Sequence, residues 1–108
     1  MATVLSSIKD YLAVNDTDVF DQEILMLVHS ALSSLDQIGK VTIPSEITNS
    51  TTWESICQDS KLRPFVKNYV FCKVRLIFDP PSSSIVADAI NKSIAESEWR
   101  FYYGSEVK

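Results

Sequence analysis

Glycine is nearly missing from this chain: only Gly39 and Gly104 occur in 108 residues. Tight β-turns take glycine at their positive-φ positions, so a fold of many short strands joined by hairpins is disfavoured. Histidine occurs once, as His29. No Ser-His-Asp or Cys-His arrangement can be assembled without it, and it falls on the polar face of a predicted helix, where simple solvation explains it. The two cysteines, Cys57 and Cys72, have a spacing that fits no zinc or redox motif. Both lie in apolar stretches, so buried free thiols are expected. There is no glycine-rich phosphate loop and no cluster of metal ligands. Glu96 and Glu98, two apart on a predicted helix, point to different faces and do not form a paired acid/base site. The sequence offers no reaction, so no catalytic residue, cofactor or metal is expected.

Positive charge is also scarce. Ten Lys and Arg against fourteen Asp and Glu give a net charge of −4 and a pI near 4.8. Wrapping nucleic acid needs clustered cations that neutralise phosphates, and here the cations are scattered. An acidic wall past which DNA moves without sticking remains compatible with this balance. Nothing approaches the roughly 20 apolar residues of a membrane span. The opening MATVLSSIKDYL lacks the apolar run of a signal peptide, so the Asn49-Ser50-Thr51 sequon is expected to go unused and the chain to fold in a reducing cytoplasm.

What is present reads as one all-α domain, a compact bundle of about five helices. Thr3 can cap a first helix to about Ala13, with Val4, Leu5, Ile8, Tyr11 and Leu12 on one face and Lys9 and Asp10 on the other. Asn15–Asp18 is a polar turn, and either of its aspartates can cap a second helix, predicted from about Val19 to Ile38. Its stripe is Phe20, Ile24, Leu27, Val28, Ala31, Leu35 and Ile38, and Gly39 stands where a left-handed C-cap is wanted. Lys40–Ser50 reads as an extended strap. Thr51 and Glu54 fit a capping box, opening a short helix over Thr52–Gln58 with Trp53 and Ile56 turned inward. Pro64–Phe78 is almost wholly apolar. Alternation of Val70, Cys72, Val74, Leu76 and Phe78 leaves a strand reading open, but its length favours a long central helix with Lys67, Asn68 and Arg75 on one polar face. Asp79-Pro80-Pro81 must end it as a rigid corner, with Phe78 anchored in the core just before. Ser82, Ser83 and Ser84 offer caps for a last helix to about Tyr102, with Gly104 as its stop. Its stripe is Val86, Ile90, Ile94 and Phe101, with Ser93 and Ser97 on the same side. Residues from about 101 to 108 read as a flexible tail.

Some aromatics do not fit a simple core. Trp99 falls nearly opposite the stripe of the last helix, with Ile85 and the Lys92 stem on the same outer side. Phe71 falls on the polar face of the central helix, between Lys67, Asn68 and Arg75. Aromatics and arginines on polar faces are enriched at binding hot spots. They define two candidate protein interfaces: Glu98, Trp99 and Arg100 on one side, and Lys67, Phe71 and Arg75 on the other.

The run Tyr69-Val70-Phe71-Cys72-Lys73-Val74-Arg75-Leu76-Ile77-Phe78-Asp79-Pro80-Pro81 resembles the "yv-x-x-k-v-r-l-x-FDPP" segment of small head–tail connector proteins. These belong to long-tailed phages of Gram-positive bacteria. Glu96-Ser97-Glu98-Trp99-Arg100 is similar to the E-x-E-W-R ending of the last helix in that family. Phe20-Asp21 before the apolar helix, Ile38-Gly39 after it and the isolated Thr52-Trp53 resemble its first half. The likeness spans roughly Val4 to Arg100. His29 departs from the small polar residue usual there, and Gly104–Lys108 has no counterpart.

The resemblance implies a non-enzymatic helical adaptor without cofactor. It implies a ring, twelvefold in the family, that docks beneath the portal protein at the DNA-exit vertex. A head-completion (stopper) or tail protein would attach below, and double-stranded DNA would pass through the lumen without sequence-specific binding. The location implied is the capsid–tail junction of the virion, after synthesis in the host cytoplasm. A generic helical adaptor, which would form no closed ring, and a small regulatory protein are the alternatives. The latter needs a basic recognition helix that the scattered cations do not supply.

Overall fold

In the computed structural model, which describes residues 3–14, 16–37 and 47–106 (the last three by backbone alone), the chain forms five helices. These are α1 (Val4–Leu12), α2 (Asp21–Asp36), α3 (Trp53–Ile56), α4 (Arg63–Phe78) and α5 (Ser84–Glu106). No strand occurs among the described residues. Thr3 and Thr52 form only an isolated bridge, which with the bond from Val4 N–H to the Thr51 carbonyl (2.9 Å) ties the start of α1 to the start of α3. The helix reading of residues 64–78 holds and the strand reading falls. Gly39, Ile38 and most of the strap, residues 38–46, lie outside the described residues. From the strap's far end, Ile47 enters the core.

α1 begins as expected. Thr3 Oγ1 accepts from Ser6 N–H, and Ser6 Oγ accepts from Thr3 N–H, a reciprocal capping box. Its C-terminal turn requires a left-handed residue, and with so few glycines the position falls to Ala13 (φ 60°). The buried stripe is Val4, Leu5, Ile8 and Leu12. Lys9 corrects the sequence reading. It is not a solvated residue on the far side: its stem is covered, and its ammonium lies 2.9 Å from Asp21 and 3.2 Å from Asp18. Asp18 therefore serves this ion pair and does not cap α2, which starts after Phe20 with no side-chain cap.

α2 buries the expected Ile24, Val28, Ala31 and Leu35, and also Leu25 and Leu32, so its apolar face is wider than the predicted stripe. The N-cap of α3 is Thr52, whose hydroxyl accepts from Ser55 N–H. Thr51, the residue expected there, instead accepts from Thr48 N–H at 3.0 Å. Trp53 and Ile56 are both 1% exposed. Pro64 sits in the first turn of α4 as expected.

α4 is the central element. It packs on α1, α2, α3 and α5, most extensively on α5. Val66, Tyr69, Val70, Cys72 and Val74 are buried, whereas Ile77 is 65% exposed, so burial fades toward the C-terminal end. Phe78 is only half-buried. It packs edge-to-face on Phe20 at 5.1 Å, and its truncation removes less than the roughly 3–5 kcal/mol of a fully enclosed phenylalanine. Ser83 is the serine that caps α5, through Val86 N–H. α5 does not stop at Gly104. It continues to Glu106, so residues 101–106, read as a tail, are helical, and Phe101 is fully buried. Val86, assigned to the buried stripe, is 40% exposed.

Three groups hold protons more tightly in the fold than in the open chain. Burial pushes the Cys72 thiol up. Burial also raises the Tyr69 phenol, helped by the charge of Glu98. Its bond to Asp21 lifts Lys9 above its ordinary 10.5, although desolvation opposes it. In each case the native state keeps a proton that the unfolded chain releases, so stability must fall as pH rises. The fall is expected to start near 9.0, the ordinary value for the thiol, and to steepen as Tyr69 and Lys9 join. Urea unfolding at pH 7 and pH 10 checks this, and equal midpoints would contradict it.

Candidate docking surfaces

The buried α4–α5 seam makes these two helices one antiparallel hairpin. Ser93 and the buried Ser97 leave room for Asn68, whose amide donates to both hydroxyls at 2.8 and 2.7 Å. Asn68, read as part of an outer polar face, is thus a connector between the two helices. Ile90, Ile94 and Phe101 complete the seam. The hairpin leaves a distinct exposed surface at each end.

At the end formed by the start of α4 and the close of α5 lies an apolar depression of about 340 Å³. Leu62, Phe65, Trp99 and Tyr103 form its walls, with Lys61, Arg100 and Asp59 also lining it. Trp99 is 58% exposed and leans on Tyr103 with centroids 4.8 Å apart. The Arg100 guanidinium sits 6.0 Å from the Phe65 ring centre and pairs with Glu96 at 3.2 Å. Trp99 and Arg100 therefore share one open surface, as read from sequence, while Glu98 is half-buried. Tyr103 was legible as the residue one turn beyond Trp99. Phe65 and Leu62 were not, because only the α4–α5 pairing brings them there.

The opposite end is the corner between α4 and α5. A second depression of about 330 Å³ is lined by Arg75, Asp79, Pro80, Pro81 and Val86 among others. Pro80 and Asp79 are exposed, and Ile85 beyond them is 80% exposed. Asp79 closes α4 outside the helical region (φ −142°, ψ 68°) with its N–H on the Arg75 carbonyl, in keeping with the clash that disfavours a helical residue before proline.

The second predicted interface is divided by the structure. Arg75 lies at the corner. Phe71 is half-buried, stacked on Tyr11 at 5.0 Å and edge-on to Trp53 at 5.7 Å. Lys67 sits 5.7 Å from the Trp53 ring centre. These two belong to the packing around Trp53. His29 lies exposed on α2, and both cysteines are buried free thiols as expected. Among the described residues no group of His, Cys, Asp or Glu is placed to hold a metal ion, and no helix is long and apolar enough to cross a membrane.

A helical hairpin with an open docking surface at each end is the build of a small structural adaptor. The family model described as phage connector protein matches residues 4–108, and the chain belongs to that family. It is a structural connector of the phage particle, of a kind that associates with portal and tail proteins. No curated protein and no solved structure matches it.

Proposed function

We propose that this protein closes into a ring beneath the portal at the DNA-exit vertex of a long-tailed phage of Gram-positive bacteria. There it completes the head and presents the surface on which the stopper or tail protein docks. It works without catalysis or cofactor. The observation that carries this reading is the pair of exposed surfaces at opposite ends of one rigid hairpin. A ring requires two different faces per subunit, because head-to-tail contacts join unlike patches. Trp99 and Arg100 supply one face and Arg75 with the Asp79–Pro81 corner the other. Lys67, Phe71 and Glu98 support these from within the subunit. The net charge of −4 suits a lumen through which DNA is retained and then slides, since acidic walls repel phosphates.

Sedimentation of the protein with purified portal rings of the same phage tests the reading. The expected result is a portal-bound species carrying many copies, with the protein alone remaining small. Failure to co-sediment at any ratio would reject it.

A further inference from the structure

The two ends of the hairpin are chemically matched. One is an aromatic-walled depression built from Phe65, Trp99 and Tyr103 with Lys61 and Arg100 on its lining. The other is the Asp79-Pro80-Pro81 corner, where Asp79 and Pro80 are exposed and Pro81 is half-buried. Proline fixes φ near −65°, so a Pro-Pro step is extended and stiff and loses little freedom on docking. Extended proline segments dock on aromatic-lined grooves for that reason. Charge agrees as well. Among the described residues neither Asp79 nor Lys61 is engaged in an ion pair. One carboxylate of the depression, Asp59, already receives the Lys61 N–H at 2.9 Å.

We infer that the aromatic depression receives the Asp79-Pro80-Pro81 corner of a second copy of this chain, with Asp79 facing Lys61. The inference rests on the ring reading above and names its contact. A subunit cannot make this contact with itself, because the thirteen helical steps from Phe65 to Phe78 hold the ends about 20 Å apart. Each copy therefore offers a corner to one neighbour and a depression to the other, and the hairpins run head to tail around the ring. The corner thereby gains a role beyond ending α4: its exposed half, Asp79 and Pro80, is the part the neighbour reads.

Both native thiols are buried, so introduced cysteines are the accessible ones. Ser82→Cys at the corner and Ser60→Cys beside Lys61 exchange one exposed hydroxyl each for a thiol and keep Asp79, Pro80, Lys61 and the aromatic walls. With a short bismaleimide and portal rings present, an equal mixture of the two variants should give a crosslinked dimer. Each variant alone should give none, and the doubly substituted chain should give a ladder of higher oligomers. Trp99→Ala in the doubly substituted chain should abolish the ladder. Asp79→Lys or Lys61→Asp should each weaken it about three- to tenfold, and the two together should restore it. Crosslinks within one single-cysteine variant, or from Ser60→Cys to the portal, would overturn the inference. So would the absence of crosslinks while wild-type rings form normally, which leaves the ring reading standing. No wild-type ring on the portal would remove both.

Discussion

Trp53→Ala is expected to lower the unfolding free energy by about 3–5 kcal/mol, the loss typical of a fully enclosed large aromatic. Few residues join so many parts of the fold. The indole is 1% exposed, its N–H donates to Ser7 on α1 at 3.2 Å, and Phe71 of α4 meets it edge-on. Lys67 lies against the same ring. α3 itself has only four residues, too short to be stable without tertiary packing. Trp53 is what pins it, and with it the bridge from Thr52 to Thr3. The melting temperature should fall by at least about 12 °C, given roughly 4–8 °C per kcal/mol at this size. A loss below about 1 kcal/mol in chemical denaturation would show that the chain closes without this anchor.

Asn68→Ala should cost about 2 kcal/mol. Its amide is the shared partner of Ser93 and Ser97. Removing it takes the amide donor from two hydroxyls in the α4–α5 seam, one of them on Ser97, which is 4% exposed, and a buried polar group that loses its partner costs about 1–3 kcal/mol. The effect should be confined to α5. Hydrogen exchange should accelerate in α5 while α1 and α2 keep their protection. Uniform acceleration, or none, would contradict the assignment of Asn68 as the lock of the hairpin. The triple replacement of Asn68, Ser93 and Ser97 by alanine should be milder than Asn68→Ala alone, because no polar group is then left stranded.

The helices were legible because helical periodicity and capping act locally. Thr3, Ile24 to Leu35, Pro64 and Phe101 all behave as their spacing requires. The corner was legible for the same reason, since two prolines admit few conformations. What local pattern misassigned was decided by partners distant in sequence. Lys9 reads as solvated until α2 brings Asp21 to it. Phe71 reads as a stranded aromatic until Tyr11 and Trp53 close on its ring. Asn68 reads as surface until α5 presents two serines. Gly104 reads as a stop because glycine commonly comes just after helix ends, yet α5 runs past it to Glu106. Half of the docking surface was visible as Trp99 and Arg100. The other half, Phe65 with Leu62, required knowing that the start of α4 lies beside the end of α5.

Electron cryo-microscopy of portal rings saturated with this protein bears on the central claim most directly. The expected result is one closed ring of copies coaxial with the portal and open along its axis, each copy touching two neighbours through opposite ends of its hairpin. Isolated copies bound without neighbour contacts, or neighbours meeting through identical faces, would contradict it.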